Sequence, residues 1–90
     1  SASKAGVIGM TLPIARDLAE YSIRVVSVAP GLFESGMSAG MPPKVSEGIV
    51  NTLLFPRRMG QAHEFAALVQ HIIENAYLNA LTIDIHCGTR

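Results

Sequence analysis

The sequence holds a single cysteine, Cys87, so no internal disulfide staples the chain. That excludes a disulfide framework and suits a reducing compartment. Neither sign of charge is in excess: seven Lys and Arg balance seven Asp and Glu, for a net charge of zero with His neutral. Without a basic field, nothing holds a nucleic-acid backbone or an anionic membrane by charge alone. Neither partner is therefore expected. No apolar run nears the ~18 residues of a membrane span, and Ser1-Ala2-Ser3-Lys4 has no signal-peptide pattern. The sequence opens without Met and is expected to begin inside a longer chain. It has no internal repeats and no low-complexity tracts.

What is present is oily. Apolar residues make up 49% of the 90 and charged ones 16%, which excludes disorder driven by low hydrophobicity and high charge. A folded chain of this length buries roughly 63% of its extended surface, marginal for independent stability. The composition fits a piece of a larger buried architecture better than a free-standing small domain.

The first twenty residues read as a helix. Val7, Ile8, Leu12, Ile14, Ala15, Leu18 and Ala19 form an apolar stripe, and Ala2, Gly6 and Gly9 would let another backbone come close. Pro13 loses the bond to the Gly9 carbonyl and should bend it. Ile23 to Ala29 carries four β-branched apolar residues without strict alternation, which predicts a parallel strand covered on both faces. It stops at Pro30-Gly31. Residues 32 to 43 read as a loop, and Lys44 to Leu54 as a short helix with Val45, Ile49, Val50 and Leu53 on one face. After a connector at 55–60, Ala62 to Asn75 is the clearest helix, with Phe65, Leu68, Val69, Ile72 and Ile73 on one face. Leu81, Ile83 and Ile85 alternate with Thr82, Asp84 and His86, which predicts a half-covered strand. Two strands joined through helices imply an α/β fold, the tail of a doubly wound parallel sheet with a right-handed crossover.

Four local patterns, in order, resemble the C-terminal half of the short-chain dehydrogenase/reductase family. Ser1-Ala2-Ser3-Lys4-Ala5-Gly6 resembles the stretch after the catalytic Tyr of Y-x-x-x-K. Ile23-Arg24-Val25 leading to Ala29-Pro30-Gly31 resembles its cofactor-contacting strand and turn. Arg58-Met59-Gly60 with Glu64 and Ala66 resembles R-x-G-x-x-x-E-x-A, and Leu78-Asn79 the approach to the last strand. The resemblance covers nearly all of residues 1–90 and implies a Rossmann-type fold. The stretches 10–19 and 29–33 are similar to a mitochondrial branch of the family that acts on 3-hydroxyacyl-CoA and hydroxysteroids.

The resemblance implies an NAD-dependent oxidoreductase, NADP remaining open, that moves a hydride between nicotinamide and a small-molecule 3-hydroxyacyl-CoA or hydroxysteroid. In such enzymes a Lys favours the phenolate of the catalytic Tyr and holds the nicotinamide ribose. Lys4 matches that lysine and is the implied catalytic and cofactor-binding residue. Pro30, Gly31 and Leu32 are implied to border the nicotinamide, Ser35 to hydrogen-bond the cofactor, and residues 36–55 to form a substrate lid. A homo-oligomer is implied, in mitochondria by resemblance and otherwise in the cytoplasm. The family's Tyr, catalytic Ser and Gly-rich turn fall before Ser1, so the 90 residues alone are expected to be inactive. Two departures stand out: Ala80 replaces a usual Gly, and His86-Cys87 replaces the usual Asp-Gly.

Other readings are blander. Ser1 and Ser3 have no His or Asp partner at triad spacing. His63 and His71 are eight apart, not the i, i+4 of a helical metal pair, so no metal is expected. Cys87 beside His86 suggests a reactive pair, but adjacent strand residues face opposite ways, which favours an inert thiol. Met37 and Met41 suit an acyl pocket or ordinary gap-filling equally. Arg57-Arg58 is too short for a nucleic-acid patch, and Arg58 is placed to pair with Glu64. Two rivals to the enzyme reading remain: a truncated, non-catalytic product serving as a dimerisation or interaction module, and an unrelated small α/β binding domain.

Overall fold

The computed structural model describes residues 2–34 and 40–89. They fall into two compact units, Ser1–Ala29 with Leu68–Asp84, and Pro30–Ala67 with Ile85–Arg90. The elements run α1 (Ala2–Leu18), a 3-10 turn (Ala19–Tyr21), β1 (Val26–Pro30), α2 (Pro43–Val50), α3 (Ala62–Glu74) and β2 (Leu81–Ile85). β1 and β2 pair as a two-stranded parallel sheet, so the chain is α/β as its pattern implies.

The first unit is built on α1, which runs through Pro13 without ending there. Its inward face is Thr11 and Ala15, four residues apart and only 4% and 2% exposed. The Thr11 hydroxyl donates to the Val7 carbonyl at 3.0 Å and pairs with the Ser27 hydroxyl on β1. Small side chains let helix and strand come close, and they choose the buried face. Of the expected apolar stripe, Ala15 is buried and Leu18 half-buried, while Val7, Ile8, Leu12 and Ile14 are exposed. Among the described residues nothing lies within 4 Å of a Cβ placed at Gly6 or Gly9, so both positions stay open to another surface. The helix leaves through Ser22 in the left-handed region, whose N–H donates to Ala19 O at 3.0 Å.

The first strand begins three residues later than its β-branched run implies. Arg24 explains the shift. Its Nη1 donates to Ile72 O, Asn75 O and Leu78 O at 3.0–3.1 Å, and its Nη2 to Ile73 O at 3.1 Å. The guanidinium caps the orphan carbonyls at the end of α3. Val25 N–H meanwhile donates to Asn79 Oδ1 at 2.9 Å. On α3 the predicted face holds, with Phe65, Leu68, Val69 and Ile72 half-buried, but Ile73 is 68% exposed. Asn75 follows the helix, its N–H donating to His71 O at 2.9 Å. Before β2, Ala80 takes φ +60°, a conformation that suits glycine. In β2 only Asp84 is exposed, so the strand is more covered than its alternation predicts.

In the second unit, Pro43 opens α2 at a position where its missing N–H costs nothing. The helix ends at Val50, short of the predicted Leu54, because Thr52 N–H turns to Ile49 O and Leu53 N–H to Val50 O. Leu53 is the unit's buried anchor, 3% exposed. A second set of bonds joins the chain after β1 to the connector before α3. Gly60 N–H donates to Leu32 O and Glu34 N–H to Gly60 O, both at 2.8 Å. Phe33 and Phe65 meet edge to face, with centroids 5.8 Å apart.

Candidate cofactor and substrate site

Within the second unit, β1 runs out through Pro30 into an exposed turn at Gly31 and Leu32. The turn is held from behind. Gly31 N–H donates to Ile85 O at 2.9 Å, and a Cβ on Gly31 would lie 2.7 Å from His86 Cβ. Two Cβ atoms cannot sit that close, so only glycine fits. At Gly60 a Cβ would lie 2.5 Å from the Phe33 ring, so any side chain there would have to displace that ring.

A cavity of about 450 Å³ opens beside this turn, within the ~300–1,000 Å³ usual for small-ligand sites. Leu32, Phe33, Leu53 and Phe55 give it apolar walls, and Arg58 and His86 add polar groups. Phe55 is 83% exposed although it lines the space.

Arg58 reaches Glu64 as a fork, Nη1 to Oε1 at 2.7 Å and Nη2 to Oε2 at 3.0 Å, as the sequence spacing suggests. Glu64 Oε1 also accepts the Gln61 N–H at 2.9 Å, a carboxylate reaching back over the start of α3. These bonds from Arg58 and Gln61 lower the Glu64 pKa to about 2, and the bond to Glu64 raises that of Arg58.

His86 and Cys87 lie beyond β2, which ends at Ile85, and both line the cavity. The opposite-faces argument based on a continuing strand therefore does not apply. Gly88 N–H donates to His86 Nδ1 at 3.0 Å, which makes Nδ1 the accepting nitrogen. The Cys87 thiol donates weakly to Gly88 O at 3.8 Å. Of the other site residues read from sequence, Lys4 is exposed on α1 in the first unit, while Pro30, Gly31 and Leu32 are in the second. Ser35 and residues 36–39 of the expected lid lie outside the described residues. Among the described residues, no group of three or more His, Cys, Asp or Glu could hold a metal ion. No helix among them is long and apolar enough to cross a membrane.

Sequence reading did not single out Phe33, Phe55 or Gly60 as site residues. Gly60 had a signal in R-x-G, Phe33 closed the family-like stretch 29–33 and Phe55 ended the expected lid 36–55, but none was named as a cavity wall.

The family model for short chain dehydrogenase matches residues 1–46, just over half of the chain. The chain belongs to that family. Over all 90 residues it is 52% identical to the 3-hydroxyacyl-CoA dehydrogenase type-2 of Drosophila melanogaster and to that of Homo sapiens. It spans about a third of these curated relatives, 35% and 34% of their lengths. Among solved structures, 3-hydroxyacyl-CoA dehydrogenase type-2 from Mycobacterium avium matches with a TM-score of 0.94 at 32% identity, over 99% of this chain and 34% of that one. A 3-oxoacyl-[acyl-carrier protein] reductase from Brucella melitensis matches at 0.86 and 34% identity, over 98% and 33%. The α/β arrangement is thus a portion of the Rossmann-type fold of this family.

Proposed function

We propose that these 90 residues form the C-terminal part, about a third, of a nicotinamide-dependent oxidoreductase whose substrate is a 3-hydroxyacyl-CoA. The observation that carries the reading is 52% identity along the whole chain to enzymes named for that substrate. The local structure is compatible with it. Gly31, without a side chain and braced by Ile85 O and His86, is followed by Leu32 paired to Gly60, and gives a fixed backbone edge for a planar ring. The adjoining cavity has the apolar walls that an acyl chain needs.

In this reading NAD, or NADP in its place, supplies the hydride acceptor and donor when bound. Lys4 holds the ribose and, as an ammonium, favours the ionised form of a neighbouring phenol. Pro30, Gly31 and Leu32 border the nicotinamide, and Ser35 hydrogen-bonds the cofactor. Residues 36–55 act as the lid that excludes water. Arg58 is tied to Glu64, leaving its charge balanced rather than directed at substrate. On likeness alone the reading extends to a hydroxysteroid as a second substrate and to a mitochondrial homo-oligomer. The test is turnover of a 3-hydroxyacyl-CoA with NAD by the protein as its source makes it. Saturable NAD-dependent oxidation supports the reading; failure to bind NADH or NADPH overturns it.

A further inference from the structure

We propose that Arg58 and Glu64 are a positioning pair: their fork sets the backbone of Leu32–Glu34, and through it the cofactor-facing edge of the site. The proposal rests on the dehydrogenase reading above, which puts Leu32 beside the nicotinamide. The route is a short chain of bonds inside one compact unit. Glu64 is fixed at the start of α3, where its carboxylate also takes the Gln61 N–H. Arg58 grips it with both terminal nitrogens and spends a further Nη1 contact on Met59 O at 3.1 Å. The intervening residues 59–61 are therefore held at both ends. Gly60, in their middle, gives its N–H to Leu32 O and takes the N–H of Glu34. Phe33 lies directly over Gly60, so that residue has no room to shift toward it. Wherever the fork puts Gly60, the strand extension after Gly31 must follow.

The pair is poor material for stability. Its side chains are 45% and 36% exposed, and exposed ion pairs contribute little. A bidentate fork is strong in direction even where it is weak in energy. That contrast separates positioning from support: removing the fork should leave the fold standing and loosen one edge of the site. The carboxylate stays ionised down to acidic pH, so the fork persists across the working range.

The experiment pairs a cofactor-independent readout with a kinetic one, in the protein as its source makes it. In Arg58→Met, amide exchange at Glu34 and Gly60 should speed up about tenfold, with β1 unchanged. The NADH KM and Kd should rise about tenfold while kcat stays within about twofold and Tm barely moves. Arg58→Lys, which keeps the charge but loses the fork, should fall between wild type and Arg58→Met. Unchanged exchange with unchanged NADH affinity in Arg58→Met overturns the proposal and leaves the dehydrogenase reading intact. So does a parallel loss of kcat, affinity and Tm, which marks a merely structural pair. A wild-type protein that binds no NADH overturns the reading, and the proposal with it.

Discussion

The two compact units solve the same problem by opposite means. The first ties α1 to β1 through two small hydroxyl side chains, Thr11 and Ser27, buries Ala15 one turn on, and fastens the end of α3 with one long side chain, Arg24. The second has almost no buried side chain but Leu53 among its described residues, and it relies on backbone approaching backbone at Gly31 and Gly60. One unit tolerates added volume where its helix is open; the other has no room at its turns. In the proposed reading the second kind of construction suits a cofactor edge, because a fixed backbone holds a planar ring where a mobile side chain would not.

The sharpest way to break this contrast is to add the same methyl group to each unit. Gly31→Ala drives a Cβ into His86 Cβ, with both atoms fixed to backbone, and should cost about 3 kcal/mol by overpacking. Gly6→Ala meets nothing and should gain about 1 kcal/mol from helix propensity. Chemical denaturation of the two variants checks both signs. Loss of stability in Gly6→Ala would mean that another surface packs on α1.

Next in size is Arg24→Met, which strips the cap from four carbonyls at and beyond the end of α3. It should cost about 2 kcal/mol and accelerate exchange around Asn75–Leu78, leaving the Gly60 bonds of the second unit protected. Ala80→Gly works the other way. Relief of φ +60° should stabilise by about 0.5–1 kcal/mol after the entropy cost of glycine, read as a small rise in Tm.

The smallest effect is one of acidity and salt. The bond from Arg58 depresses the Glu64 pKa to about 2 from an ordinary 4.5. A carboxylate so depressed contributes stability that is fully present above about pH 4.5 and is lost as pH falls toward 2. Acid titration of wild type against Glu64→Gln should show the difference only in that window. Added salt should shrink it, because the pair is exposed.

Periodicity made α3 and the α/β order legible, since a face of Phe65, Leu68, Val69 and Ile72 has one sensible orientation. In α1 it reached Ala15 but not Thr11, because a hydroxyl side chain is not an apolar signal and the stripe does not announce which side its strand will take. It placed the start of β1 too early, because Arg24 binds carbonyls some fifty positions away in sequence, which no local pattern contains. The fork of Arg58 and Glu64 was readable from spacing and charge. The cavity was not, since it depends on His86 and Cys87 leaving the strand after Ile85. Ala80 is an instructive middle case: its departure from glycine was visible, and its positive φ supplies the reason glycine suits that place.

The central claim is that this chain carries Lys4 and the Pro30–Leu32 turn of a nicotinamide-dependent dehydrogenase. It is tested most directly by titrating NADH into the protein as its source makes it, following nicotinamide fluorescence, and assaying 3-hydroxyacyl-CoA oxidation in wild type and Lys4→Ala. Saturable binding and turnover in wild type, with a loss of about a hundredfold or more in Lys4→Ala, is the predicted result. No saturable binding by wild type, or wild-type turnover and affinity in Lys4→Ala, would contradict it.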